Sequence, residues 1–248
     1  MKSVGPLLLS ALLALPGIAS ADVVSVAAGG GIWRDTPSGD VRKLPDTSVD
    51  VEKDLFWKSE NQNYLFVTLE HPVPVLPNVR LSSTKLEHSG SGNLTRSITV
   101  NGQTYNLNEY IENTFKFNQT DITAYWELLD NVVSVDLGLN VKSLDISYTV
   151  TGRTTGSTSD SIKLTLPMLY AMVGASPLPG LMLSVEGTYV SLKGSAISDV
   201  TAKVSYTSDY FVGVEAGYRT QTYKLDDTDN YSGNLEFKGP FAGVYLKF

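Results

Sequence analysis

Apolar and polar residues alternate along much of this chain, and residues 133–141 show the pattern most clearly. The apolar residues of one parity are Val133, Val135, Leu137, Leu139 and Val141. The residues between them are Ser, Asp, Gly and Asn, so the period of two residues predicts a β-strand with one apolar and one polar face. Beyond Lys142 the apolar positions change parity, and we expect a β-bulge near Ser143.

Similar segments recur along the chain. They are residues 23–33, 64–70, 79–88, 121–128, 133–141, 162–174, 181–193, 199–206, 212–223 and 234–248. Tight turns alternate with longer polar connections between them, as in barrels of the bacterial outer membrane. The sequence therefore predicts an all-β fold, a transmembrane antiparallel β-barrel of about ten strands with short periplasmic turns and long extracellular loops. A barrel of eight or twelve strands is the alternative.

The last ten residues, 239–248, support the same fold. Ala242, Val244, Leu246 and Phe248 form one face of a strand that ends in Phe. Such an end resembles the closing strand of Gram-negative outer-membrane barrels, which is also read as a signal by the barrel-assembly machinery. The resemblance implies that machinery as a partner and Tyr245, Leu246 and Phe248 as the assembly signal.

An earlier part of the same strand has the opposite parity. Leu235 and Phe237 alternate out of phase with the apolar residues that follow. A bulge at Gly239 and Pro240 would account for this change, since glycine and proline are typical of irregular positions in strands.

The first 21 residues have the features of a secretory signal peptide. Lys2 precedes an apolar run that is too short to cross a bilayer as a helix, and Ala19-Ser20-Ala21 fits the cleavage pattern. We expect residues 22–248 to form one barrel located in the bacterial outer membrane after cleavage. Outer-membrane lipid and lipopolysaccharide would be its surroundings and partners.

Composition narrows the possible chemistry. The net charge of −7 argues against nucleic acid as a partner, because the chain repels phosphate. With no cysteine, the chain has no disulfide and no thiolate metal site. The acidic run at residues 226–230 lacks the ligand spacing of a calcium loop. We therefore expect no cofactor and no metal, while the oligomeric state stays open.

Residues of the polar parity are expected to line the lumen. Those that carry charge are Glu70, Arg80, Glu127, Asp136, Lys142, Lys163, Glu186, Lys203, Glu215 and Arg219. Both signs are present, and a barrel of about ten strands has little spare room inside. These side chains would form either a packed network of ion pairs that plugs the lumen or the wall of a narrow polar pore for small solutes.

Aromatic residues are expected to form two bands at the membrane surfaces. The outer band would contain Trp33, Tyr64, Tyr148 and Tyr189, and the inner band Trp126, Tyr206, Phe211 and Phe248.

Two alternatives to a non-enzymatic barrel follow from the residues. His88, next to Ser89 at the outer end of a strand, could form a His-Ser or His-Asp pair that serves an outer-membrane hydrolase acting on lipid or peptide. The serine motif G-x-S-x-G is absent, however, so we expect no enzyme activity. The second alternative is a soluble periplasmic β-sandwich.

Three segments together resemble a known family. They are residues 121–139, 215–219 and 239–243, and they are similar to the small Gram-negative outer-membrane barrels of the OMP_w_GlyGly family. The similarity covers the mature chain. It implies an outer-membrane barrel without an established activity, and therefore no active site. Our leading interpretation is a non-enzymatic structural barrel or narrow pore with extracellular binding loops.

Overall fold

Thirteen β-strands account for most of the residues that the structure, a computed structural model, describes, which are 24–228 and 230–248. The predicted signal peptide lies outside these residues. The strands are β1 (Ser25–Lys43), β2 (Val49–Asp50), β3 (Glu60–Glu70), β4 (Asn78–Asn93), β5 (Ile98–Val100), β6 (Gln103–Tyr105), β7 (Tyr110–Asp130), β8 (Val133–Gly152), β9 (Gly156–Leu178), β10 (Leu181–Leu192), β11 (Ser195–Thr207), β12 (Val212–Thr228) and β13 (Tyr231–Lys247). The described residues include no helix that is long and apolar enough to cross a membrane.

Ten of these strands form a closed antiparallel barrel, because β13 pairs with β1 as well as with β12. The remaining strands, β2, β5 and β6, belong to the connections. At the seam, the amide of Val26 donates to the carbonyl of Phe248 and the amide of Phe248 donates back to Val26, both at 2.9 Å. The predicted ten-stranded barrel is confirmed, and the β-sandwich alternative is wrong because a sandwich would leave β1 and β13 as separate edges.

Both ends of the described chain lie at the same end of the barrel, which we call the lower end. The connections there are short, at residues 71–77, 131–132, 179–180 and 208–211. At the upper end the connections 44–59 and 94–109 are long. In contrast, β8 and β9 extend beyond the predicted segments 133–141 and 162–174 and meet at a short turn, residues 153–155. The regular sheet therefore continues through these strands to the upper end of the barrel.

The two faces of the sheet exchange their polarity along this height, as β8 shows. In its lower part Leu137 and Leu139 are exposed on the outside, and Asn140 and Lys142 are buried inside. In its upper part Leu144 is buried inside. The lower half thus has an apolar exterior and a polar interior, while the upper half has the arrangement of a water-soluble barrel.

This exchange corrects both predicted bulges. Around Ser143, β8 pairs with β7 and with β9 in unbroken register. The apolar residues change parity because they lie on the outer face in the lower half and on the inner face in the upper half. No residue is inserted, so the alternation of side chains between the two faces is uninterrupted.

The closing strand behaves in the same way. Pro240 and Gly239 pair with Tyr218 and Arg219 in continuous register, so the bulge predicted there is also wrong. Phe237 is buried inside the upper barrel, and Val244 and Leu246 are exposed on the outside of the lower barrel.

The apolar exterior forms a continuous belt around the lower half. It includes Leu65, Val67, Leu81, Ile122, Leu137, Leu139, Leu169, Val173, Val185, Val204, Val214 and Val244, all exposed. Such a belt matches the lipid-facing band of transmembrane barrels.

The aromatic prediction holds for one band only. Trp126, Tyr206, Phe211 and Phe248 are exposed at the lower edge of the belt. Of the predicted outer band Tyr189 is exposed, but Trp33 is fully buried. Tyr64 and Tyr148 are also directed inward and pack against the hydrophobic core inside the barrel, so these three assignments are wrong.

Placing a charge on the belt should destabilise the barrel. Leu137 is close to mid-height of the belt, and Leu137→Arg should lower the free energy of unfolding by about 2–4 kcal/mol, because the guanidinium has to be buried in lipid. Ser147→Arg, also on the outer face of β8 but above the belt, should change it by less than about 0.5 kcal/mol. Urea unfolding in lipid vesicles measures both values, and equal effects of the two variants would contradict a lipid-facing belt.

Candidate functional site

The interior of the barrel contains three cavities and is divided into levels. From the lower end these are a polar vestibule, a layer of ion pairs, a layer of aromatic rings and an upper apolar cavity. Each level is built from side chains of opposite barrel walls.

The ion-pair layer consists of Arg80, Asp121, Lys142, Glu186, Asp199, Lys203, Glu215 and Arg219. Arg80 Nη1 donates to both carboxylate oxygens of Glu186 at 3.0 Å. Lys203 Nζ lies 3.3 Å from Glu186 and 3.9 Å from Glu215, which also accepts a 2.7 Å hydrogen bond from the hydroxyl of Tyr64. These contacts connect strands β3, β4, β10, β11 and β12 across the lumen.

The other half of the ion-pair layer is centred on Lys142, whose side chain is 1% exposed. Its Nζ lies 2.8 Å from Asp121 and 3.2 Å from Asp199. Arg219 donates to both oxygens of Asp199 at 2.9 and 2.7 Å, and Gln221 donates to the same carboxylate at 2.8 Å. Four cations therefore meet four anions in the layer, which satisfies the requirement that buried charges be paired.

Little space remains within the ion-pair layer. The gap between its side chains and Tyr170 measures about 90 Å³. A water molecule occupies roughly 30 Å³ in the liquid, so the gap holds a few waters.

A pair of glycines makes room for one contact of the layer. Gly31 of β1 faces Gly243 of β13, and a Cβ on Gly243 would lie 2.2 Å from the hydroxyl oxygen of Tyr64. Only the absence of both side chains lets the phenol ring cross the seam to reach Glu215. The glycine-rich segment of β1 therefore serves close packing.

The structure places the predicted lumen residues at two levels. Arg80, Lys142, Glu186, Lys203, Glu215 and Arg219 belong to the ion-pair layer, whereas Glu70, Glu127 and Asp136 line the vestibule. The prediction for Lys163 is wrong, because its side chain is 78% exposed on the outer face, where it pairs with Asp145 at 3.1 Å. The sequence reasoning missed Asp121 and Asp199, which share the inward parity of their strands but stand at the ends of the predicted segments.

The vestibule is an acidic cavity of about 380 Å³. Glu70 accepts hydrogen bonds from Tyr125 and Lys247, each at 3.1 Å, and Glu127 accepts one from Asn78 at 3.0 Å. The inner end of the vestibule is formed by Arg80 and Glu186, so it ends at the ion-pair layer.

Above the ion-pair layer, aromatic rings fill the lumen. Phe237 contacts Phe115, Phe117 and Tyr223, with ring centroids 6.1 to 6.4 Å apart. The ring of His88 stacks between Phe237 at 5.7 Å and Trp57 at 5.5 Å. We call these six residues the aromatic layer.

His88 is a component of this packing. Its Nε2 lies 2.8 Å from Oδ2 of Asp35, and both side chains are completely buried. Gln62 donates to the other oxygen of Asp35 at 3.1 Å. Ser89 lies on the opposite, outer face of β4, so the pairing of His88 with Ser89 suggested by the sequence is wrong.

The connection between β1 and β3 folds back into the barrel mouth. Its residues 51–57 form an inner lid, in which Val51, Leu55 and Trp57 are buried. Trp57 Nε1 donates to Oδ1 of Asn113 at 2.6 Å, and Asn113 Nδ2 donates to the carbonyl of Leu55 at 2.8 Å. The sequence predicted an extracellular loop here, and it gave no signal that the loop would turn inward.

Beside the inner lid lies an apolar space of about 140 Å³, which we call the upper cavity. Four hydrogen-bonded residues at its rim, Lys43, Asn101, Asp160 and Tyr231, form what we call the latch. Lys43 Nζ lies 2.5 Å from Asp160 and donates to Oδ1 of Asn101 at 3.0 Å, and the hydroxyl of Tyr231 donates to Asp160 at 3.0 Å. The hydrogen bond from Lys43 lowers the pKa of Asp160, and the same contact raises the pKa of Lys43.

A second carboxylate fixes the neighbouring turn. Glu109 accepts hydrogen bonds from the hydroxyl of Thr155 at 2.6 Å and from the amides of Thr154 and Thr155 at 3.0 and 2.7 Å. The Thr155 hydroxyl, together with these amides, lowers the pKa of Glu109 to about 2. The connection 94–109 is thereby tied to the turn between β8 and β9.

No family model matches the chain, and no curated protein matches it. Among solved structures, the outer membrane protease OmpT from Escherichia coli superposes with a TM-score of 0.58 at 12% identity, over 90% of this chain and 97% of that one. The fold is that of an outer-membrane β-barrel.

Two other solved barrels superpose with lower scores. The translocator domain of the autotransporter NalP from Neisseria meningitidis gives a TM-score of 0.43 at 11% identity, over 90% of this chain and 87% of that one. The Ail protein of Yersinia pestis gives 0.39 at 10%, over 91% and 99%. At 12% identity the likeness to OmpT shows the fold alone, and membership of the OMP_w_GlyGly family stays a prediction.

Removing the central cation should be costly. Lys142→Met leaves Asp121 and Asp199 with too little compensating charge, so the free energy of unfolding should fall by about 3–5 kcal/mol. Lys163→Met removes an exposed pair and should change it by less than about 0.5 kcal/mol. Urea titrations of the folded barrel measure both, and a Lys142→Met variant as stable as Lys163→Met would show that the layer is solvated.

The Glu109 contact should respond to acid. Because the pKa is lowered on folding, its stabilising effect is complete above the ordinary glutamate pKa of about 4.5 and is lost as pH falls through about 2. NMR shifts of the Thr154 and Thr155 amides should therefore titrate with a midpoint near pH 2. Glu109→Gln should abolish this step, and a midpoint near 4.5 in the unmodified protein would contradict the assignment.

Proposed function

We propose that this protein is a non-enzymatic, integral barrel of the bacterial outer membrane whose lumen is closed to solutes. The observation that carries the proposal is the ion-pair layer, in which a fully buried Lys142 connects Asp121 and Asp199 across the barrel. The sequence left two functions open, a structural barrel and a narrow pore. The ion-pair layer favours the structural barrel.

The ion-pair layer is a strong barrier because its charges balance. A solute crossing it has to separate pairs such as Arg80 and Glu186, and each separated charge is left without a partner in a medium of low polarity. Water-filled pores instead have side chains that leave a continuous solvent path. The gap of about 90 Å³ within the layer supports a closed lumen rather than a wide solvent path.

A further barrier lies above the first. The aromatic layer packs five aromatic rings and the ring of His88 across the lumen, and its Trp57 is also part of the inner lid. Opening the ion-pair layer would leave this upper barrier in place.

The proposed location and partners rest on the outer surface. The apolar belt suits outer-membrane lipid, and lipopolysaccharide would surround its upper edge in the outer leaflet. Leu246 and Phe248 are exposed on the outside of the closing strand, where the barrel-assembly machinery could read them. Tyr245 is directed inward instead and shares a 2.7 Å hydrogen bond with Thr207.

The absence of enzyme activity is part of the proposal. OmpT is a protease by name, but a common fold at 12% identity does not transfer an activity. In this chain the side chains of His88 and Asp35 are completely buried, with the ring of His88 stacked between Trp57 and Phe237, out of reach of a substrate. If the unmodified protein hydrolysed a lipid or peptide and the His88→Gln variant did not, the proposed absence of enzyme activity would be contradicted.

Conductance tests the closed lumen. The refolded full-length mature chain, placed in a planar lipid bilayer, should give no discrete current steps. Its heat-modifiable migration in detergent gels should show that the barrel is folded. The absence of current is then not a result of misfolding. Reproducible steps of uniform size from the folded protein would overturn the closed lumen in favour of the narrow pore.

A further inference from the structure

The upper cavity is not needed to close the barrel, and its surface differs from the rest of the interior. It lies above the apolar belt, in the part of the barrel whose exterior is polar, so its apolar lining is not a lipid contact. Phe117, Leu144, Ile146, Leu164 and Ile197 contribute to its walls. They come from strands β7, β8, β9 and β11, and the cavity is therefore built into the rigid sheet.

The chemistry of the lining defines a class of ligand. The charged residues that border the cavity, Arg42, Lys43 and Asp46, all belong to the end of β1 and the turn after it, at the rim. Of these, Lys43 is already paired with Asp160. An ion placed deeper would lose its hydration without gaining a partner, so the walls select uncharged and apolar molecules.

The size of the cavity limits the ligand further. A space of about 140 Å³ is close to that of apolar cavities of roughly 150 Å³ that stay dry and take up benzene. An empty apolar space of this volume also lowers stability, because the lining atoms lack contacts on one side. A ligand that fills it restores those contacts.

We propose that the upper cavity is a binding site for a small, uncharged, apolar molecule about the size of one aromatic ring. The site goes beyond the closed barrel proposed above, since a closed lumen requires no ligand.

Access to the cavity is from the upper end. The β5–β6 hairpin lies over the rim, with Val100 turned to the cavity. It is held to the barrel by the latch, by a 2.8 Å hydrogen bond from the amide of Thr99 to Thr47 and by bonds of 3.1 and 3.3 Å from Gly102 to Asp46. These polar contacts lie at the tip of the hairpin, residues 99–102. The ends of the hairpin are anchored more firmly, because Ile98 and Tyr105 are fully buried and the hydroxyl of Tyr105 donates to the carbonyl of Val150 at 2.8 Å. Entry to the cavity therefore involves movement of the tip and leaves the ends of the hairpin in place.

Binding of fluorobenzene to the full mature chain in phosphatidylcholine nanodiscs tests the proposal. Fluorine NMR should show saturable uptake at one site, against the non-saturable background of the lipid. Leu164→Trp fills the cavity from β9 and should weaken this binding at least tenfold. Leu169→Trp makes the same change on the outer face of the same strand and should leave the affinity unchanged.

Competition with unlabelled ligands tests the selectivity of the site. Toluene should displace fluorobenzene, whereas benzoate, which carries a charge, should not. If Leu164→Trp fails to fold by heat-modifiable migration, Ile146→Phe replaces it as the filling variant. Absence of saturable binding to the unmodified protein, or equal binding to the filled and control variants, would overturn the site. Neither result bears on the conductance measurement.

Discussion

The pairing of β13 with β1 is the interaction on which the rest of the structure depends. Lipid offers no hydrogen bonds to a backbone, so a sheet within the membrane is stable only when its first and last strands meet. Here the reciprocal bonds between Val26 and Phe248 begin that seam, and paired residues Gly31 and Gly243 let it pass close beside Tyr64. Closure in turn creates an interior, and the filling of that interior determines what the protein can do.

The same sheet meets two solvents along its height, and its side chains follow. In the lower half lipid favours Leu137 and Leu139 outside, which leaves Lys142 and its neighbours to pair with one another inside. In the upper half water surrounds the barrel, so polar residues such as Asp145 and Lys163 take the outside and Leu144 is buried. The hydrophobic effect thus builds a membrane protein and a soluble barrel from one uninterrupted set of strands.

This exchange explains how much the sequence could predict. The period of two residues locates strands whichever face is apolar, so the ten barrel strands, the closing strand among them, were predictable from alternation. Which face of the sheet points inward could not be predicted in the same way, because the rule that apolar residues face lipid holds only in the lower half. Applied to the whole barrel, that rule placed Lys163 in the lumen and led to the incorrect prediction of bulges near Ser143 and at Gly239. The environment of His88 was beyond reach for another reason: Asp35 and Trp57 belong to a region with the composition of a loop.

The order of the levels decides what the upper cavity can be. A molecule that enters past the β5–β6 hairpin finds the aromatic layer beneath it, and beneath that the pairs around Lys142 and Arg80. Passing the aromatic rings requires rearrangement of a packed core, and passing the ion pairs requires an apolar molecule to occupy a charged site. Both steps are unfavourable for a ligand that suits the cavity. The cavity is therefore a dead end, and whatever it binds returns by the way it came, which is the behaviour of a binding site rather than of a channel.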